Sequence, residues 1–181
     1  MSYVCTKLTS VSTELAQAFW DGGTAYYHTE GTLLKCEGSE VSNQEMFLRE
    51  LANASLSEYD KIYQVTKDDY PVGLIPTNPD GNKIKGGMIL VRPEANGSRA
   101  YLHDEAGMFH AFVNFWKTEN YTALHGPAFG GLTMYEYLKA GCESGIMPCS
   151  FADEESVSAA DMKASGFQEL ALRWITFTFN E

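Results

Sequence analysis

The sequence is short of positive charge: 13 Lys and Arg stand against 24 Asp and Glu, a formal net charge of -11. A nucleic-acid footprint needs Lys and Arg gathered on one surface, and no basic cluster occurs anywhere in the chain. The same charge repels anionic lipid, so neither nucleic acid nor a membrane is an expected partner. No apolar run nears the roughly 18–20 residues of a membrane span. Met1-Ser-Tyr-Val opens without a basic-then-apolar leader, and a cytoplasmic chain is expected. Cysteine is scarce as well. Cys5, Cys36, Cys142 and Cys149 lie far apart with no CxxC pair, which outlines neither a zinc site nor a disulfide framework. They read as small buried hydrophobes, and no metal is expected. The sequons at Asn53, Asn96 and Asn120 read as chance matches in a chain without a leader.

What is present suits a packed core: 44% of the 181 residues are hydrophobic and 13% aromatic, about the size of one domain spanning 1–181. Ser2 to Leu8 alternates as a strand. Hydroxyls at 9–12 then offer helix caps ahead of Leu15, Ala18 and Phe19 at helical spacing, and Gly22-Gly23 closes that helix. Met46, Phe47, Glu50, Leu51 and Ala54 predict a second helix over 43–54. From Lys61 the period becomes two. Strands are expected at 62–65, 71–77, 87–91, 100–103 and 108–116, with turns at Lys67-Asp68-Asp69, Asn78-Pro-Asp-Gly81 and Asn96-Gly97. A helix running to Cys142, a buried strand over 146–151, a helix over 153–164 and a last strand over 170–179 complete the order. The fold class is α/β (α+β): an antiparallel meander followed by α-β-α-β.

The stretch His125-Gly-Pro-Ala-Phe-Gly-Gly131 stands just before one of those helices. A helix N-terminus exposes unpaired N–H groups carrying partial positive charge, and small residues let a bulky phosphate approach them. Gly and Pro also punctuate plain turns, so the stretch alone leaves both readings open. Its setting resembles the GNAT N-acetyltransferase superfamily, whose members use acetyl-CoA. In that family a Q/R-x-x-G-x-G/A loop after the fourth strand cradles the CoA pyrophosphate. The matching residues here are His125, Gly126, Ala128, Phe129, Gly130 and Gly131, with His125 for the leading Gln or Arg and Ala128 for the central Gly. Gly166-Phe167 matches the family's Gly-Phe at a helix end, and the opening YVCTKLTSVSTELAQAFWDGG resembles its first strand and helix. Two departures stand out. Met162 occupies the place of a Tyr that protonates the departing thiolate, and Glu155 replaces an Asn often found there. One or two strands between Asn78 and His110 also exceed the family's need.

The resemblance implies acetyl transfer from acetyl-CoA, as co-substrate, to an amine on a small molecule or peptide. Such an amine must lose a proton before it attacks, which calls for a carboxylate or imidazole base. Glu119 and His110 are candidates, with His103, Asp104 and Glu105 beside them, and Tyr135 or Tyr137 could supply the acid. Against each stands a plainer use, a core histidine or a solvated turn. The aromatics Phe109, Phe112, Phe115, Trp116 and Tyr121 suit core packing better than a ligand groove. The alternative to an enzyme is a catalytically inactive GNAT-like fold serving as a binding or structural protein, such as a phage or virion protein, with a virion partner or a homo-oligomer in place of a substrate.

Overall fold

The computed structural model describes residues 3–21, 60–86, 89–91, 107–129, 134–154 and 172–181. Strand β1 (Tyr3–Leu8) leads to helix α1 (Thr13–Asp21), whose first turn is capped as the hydroxyl cluster predicts, with Leu15 N–H donating to Ser12 Oγ at 3.1 Å. Strands β2 (Lys61–Lys67) and β3 (Tyr70–Asp80) form a hairpin. Asp68 and Asp69 turn it at φ 51° and 65°, the left-handed pair that matches the twist of two-residue hairpins. Gly81, at φ 63°, turns β3 into β4 (Lys83–Gly86), and β5 (Leu90–Val91) pairs back onto β3. Helix α2 (Met108–Thr118), β6 (Ala123–Phe129), helix α3 (Met134–Glu143), β7 (Cys149–Glu154) and β8 (Leu172–Phe179) follow.

The strands form one mixed sheet in the order β1-β2-β3-β4-β6-β8-β7, with β5 paired to β3 off that path. Every pairing is antiparallel except β4 with β6, which is parallel. Helix α2 packs on β1 and β2, and α3 on β6 and β7. Both cover one face, because Tyr63, Val65, Ile84, Leu124, Ile175 and Phe177 share a core with Phe109, Phe112, Trp116 and Leu138. Ile62 and Leu74 alternate onto the opposite face, where Ala16 and Phe19 of α1 are buried and α1 meets β3. Among the described residues no helix is long and apolar enough to cross a membrane.

Three expectations are corrected. Residues 108–116 are a helix, not a strand. In helical geometry Met108, Phe109, Phe112, Val113 and Trp116 all reach the core while Asn114, Lys117 and Thr118 face out, a split that alternation cannot give. The stretch beginning at His125 is a strand as far as Phe129, not the mouth of a helix, because β8 pairs with it residue for residue from Ala123 to Phe129. Asp153 and Glu154 end β7 rather than open a helix, since β8 pairs with them too. The expected helix at 43–54, the strand at 100–103 and the Met162 to Phe167 match lie outside the described residues, as do His103, Asp104, Glu105, Glu155, Gly130 and Gly131.

Candidate functional site

The middle of the sheet is where two parallel strands part. β4 and β6 pair only at Lys83↔Ala123, Ile84↔Leu124 and Lys85↔His125. Beyond His125, β6 runs on beside β8, whereas β5 joins β3 on the other side. At the parting stand two buried glycines, Gly86 and Gly126. Tyr135 of α3 lies across both: a Cβ on Gly126 would come 1.9 Å from its Cε1, and one on Gly86 2.2 Å from its hydroxyl oxygen. The missing side chains therefore make room for one phenol that bridges the two strands on the α2/α3 face. The ring is buried and stacks on Phe177 at 6.3 Å.

On the opposite face of the same strands lies a polar row. His125 faces Thr176 across β6 and β8, and its Nδ1 lies 2.7 Å from Thr176 Oγ1. Thr176 in turn donates to Glu154 Oε1 at 3.0 Å. The imidazole stacks flat on Trp174, with centroids 4.7 Å apart and planes 3° from parallel, and Lys85 Nζ sits 6.0 Å from that indole's centre. Burial holds His125 below its ordinary value, with Lys83 and Lys85 acting in the same sense against Glu154 and Asp80.

The three residues favoured as catalytic do not meet. Tyr135 is at the parted strands, and His110, in the first turn of α2, places Nε2 3.0 Å from Ile146 O. Glu119 caps the other end of that helix, about 13 Å further along its axis at 1.5 Å per residue. It accepts from Lys7 Nζ at 2.8 Å and from the buried Tyr63 hydroxyl, which ties the end of α2 to β1 and β2. Burial pushes Glu119 up, but the hydrogen bonds from Lys7 and Tyr63 and the charges of Lys7 and Lys61 outweigh it, and the carboxyl titrates below its ordinary 4.5. A lowered folded value means stability that is complete above 4.5 and lost as pH falls through the folded pKa. In melts across pH, the Tm gap between wild type and Glu119→Gln should be open at neutral pH and close below about 4.5. A gap that stays constant would show that the charge is not what Lys7 and Tyr63 hold.

Of the residues expected at the cofactor loop, His125, Gly126, Ala128 and Phe129 are paired strand residues. The described helix that follows β4 and β5 is α2, and its N-cap, Gly107, makes no side-chain cap bond. Thr176, Trp174, Glu154, Lys85 and Gly86 were missed. The alternation Trp174-Ile-Thr-Phe-Thr-Phe179 marks a two-faced strand, but nothing local to it says which strand lies alongside.

No protein-family model and no curated protein matches the chain. Solved structures do. An acetyltransferase from Thermus thermophilus aligns over 97% of this chain and 96% of its own, with TM-score 0.55 and 12% identity. The PaiA N-acetyltransferase from Thermoplasma acidophilum, solved in complex with coenzyme A, aligns over 99% of both chains, with TM-score 0.55 and 14% identity. A probable acetyltransferase of the GNAT family from Chromobacterium violaceum aligns over 99% of this chain and 83% of its own, with TM-score 0.62 and 10% identity. The parallel pair at the centre of the sheet, with a helix before and after its second strand, thus belongs to the fold of the GNAT acetyltransferases, which this chain carries on a sequence that has little in common with theirs.

Proposed function

We propose that the chain transfers an acetyl group from acetyl-CoA to an amine. The observation that carries this reading is the parting of β4 and β6 beneath Tyr135, at the centre of a sheet with the GNAT order. A thioester lying between the two strands would meet the Tyr135 hydroxyl, and that hydroxyl would return a proton to the leaving sulfur. The helix that follows β6 is α3, so the family's proton-donating Tyr falls on α3, which carries Tyr135 and Tyr137, and not at Met162. Tyr137 also keeps the family spacing, four residues before Gly141. The pyrophosphate would sit at the start of α2, where the helix's aligned peptides carry partial positive charge. A net charge of -11 favours a cationic acceptor such as a polyamine, an aminoglycoside or a lysine side chain.

A second reading is favoured by the residues next to that helix. Asp104 and Glu105 precede Gly107 where a phosphate cradle would want neutral or basic groups, and Tyr135 fills the space between the strands. On those grounds the fold would serve as a binding or structural protein. Calorimetry with acetyl-CoA separates the two. Acetyl transfer requires binding, expected near micromolar, that falls at least tenfold in Gly107→Asp and survives in Gly130→Asp. An Asp side chain at an N-cap accepts the helix's own N–H groups, so the first variant sets a carboxylate against the phosphate without removing a helix cap. Loss in Gly130→Asp instead would return the cofactor to the His125 stretch, and no binding by folded wild type would leave the non-enzymatic reading.

A further inference from the structure

We infer that His125 is the base that takes the proton from the attacking amine, through a ring nitrogen left free by a relay running from Glu154 through Thr176 across three strands. The inference rests on the acetyl-transfer reading and assigns it a residue that nothing above places in that role. The hydrogen-bond inventory sets the tautomer. A carboxylate can only accept, so the single Thr176 hydroxyl proton is committed to Glu154 Oε1 at 3.0 Å. The Thr176 oxygen is then an acceptor toward His125 Nδ1, 2.7 Å away, and Nδ1 must carry the ring's proton. Nε2 keeps its lone pair, and no described residue hydrogen-bonds to it. Stacking on Trp174 fixes the plane of the ring.

The location suits the role. His125 is the last β6 residue paired to β4 before the strands part, so its side chain stands at the root of the gap. It does so on the face opposite Tyr135, since Gly126, the next residue, is the one against that ring. Base and acid thus flank the gap from its two sides. The amine nitrogen attacks the thioester carbonyl carbon and passes a proton to Nε2. The carbon–sulfur bond breaks with its electron pair on sulfur, and sulfur takes the Tyr135 hydroxyl proton. Water removes the proton from His125 and restores that of Tyr135, leaving an amide and a free thiol. The charged groups facing His125 are Glu154 on β7, Lys83 and Lys85 on β4 and Asp80 on β3; burial, helped by the two lysines, outweighs the two carboxylates and holds the imidazole below its ordinary 6.5.

The test couples a readout of the ring to a readout of the reaction. Nitrogen-15 NMR of the imidazoles, with His125 assigned by its loss in His125→Asn, should show the Nδ1–H tautomer, and Thr176→Val should abolish that preference. Acetyl transfer from acetyl-CoA to a polyamine should fall about 100-fold or more in His125→Asn, with acetyl-CoA affinity unchanged. In wild type the acid limb of kcat/KM should lie below pH 6.5, and Thr176→Val should displace it. An Nε2–H tautomer, or transfer undiminished in His125→Asn, overturns the assignment while the acetyl-transfer reading stands. Wild type that binds no acetyl-CoA overturns that reading and the base with it, and the tautomer then reports only a structural relay.

Discussion

Trp116→Ala should cost about 3–5 kcal/mol of folding stability, the range for truncating a fully buried Trp. The indole has no exposed surface and is the largest side chain so enclosed among the described residues. It stacks on Phe112 at 5.4 Å and on Phe179 at 5.8 Å, and meets Tyr63 at 5.7 Å and Phe109 at 6.2 Å edge-on. One ring therefore joins α2 to β2, near one edge of the sheet, and to β8, on the far side of the parallel pair. Removing it loses apolar burial and leaves a void that α2 cannot close without drawing away from one of the two strands. For a chain of this length the loss lowers Tm by roughly 6–20 °C. The indole N–H is buried with no hydrogen-bond partner among the described residues, so Trp116→Phe removes that donor along with some volume. It should cost well under half as much as the Ala variant. Denaturant melts of the two variants test this packing, and an Ala variant within 1 kcal/mol of wild type would mean that α2 does not bind the two halves of the sheet together.

That helix also shows where the sequence stops being informative. Phe109, Phe112 and Trp116 fall at three-four spacing, but Met108, Phe109, Ala111, Phe112, Val113, Phe115 and Trp116 make the stretch apolar at nearly every position, and such a run satisfies either period. Tertiary packing decides for the helix. The strands that read correctly, β1, β2, β3 and β8, each have one face or one turn that pins them: Asp68-Asp69 and Gly81 at the hairpins, and the Thr and Trp alternation of β8. Taking 108–116 for a strand shifts the strand count by one, and with it the positions, His125 to Gly131 and Met162, at which the family resemblance sets a cofactor loop and an acid Tyr. Tyr135, His125 and Gly126, all named from the sequence, do lie at the parted strands. The His125–Thr176–Glu154 row could not be read in sequence, because its members lie on three strands and depend on two pairing registers.

Among the glycines of the described residues, Gly126 meets the closest neighbour on gaining a side chain. In Gly126→Ala the new Cβ would fall 1.9, 2.2 and 2.6 Å from Cε1, Cζ and Cδ1 of Tyr135, the body of a rigid ring rather than its tip. The ring must leave, and overpacking of this kind costs about 1–3 kcal/mol. Gly86→Ala meets chiefly the phenol oxygen at 2.2 Å and Leu124 Cδ1 at 3.1 Å, groups at side-chain ends that can give, so it should cost less. A double-mutant cycle isolates the cause. With Tyr135→Ala in the background, Gly126→Ala should become neutral or mildly stabilising, because Ala restricts the unfolded chain more than Gly does. The coupling should reach at least about 1 kcal/mol. The same displacement carries the functional consequence, since it takes the Tyr135 hydroxyl away from the parted strands. On the acetyl-transfer proposal, Gly126→Ala should therefore slow transfer while acetyl-CoA still binds. A variant that melts and turns over like wild type would mean that the phenol does not bridge β4 and β6, and with it would go the acid proposed for the reaction.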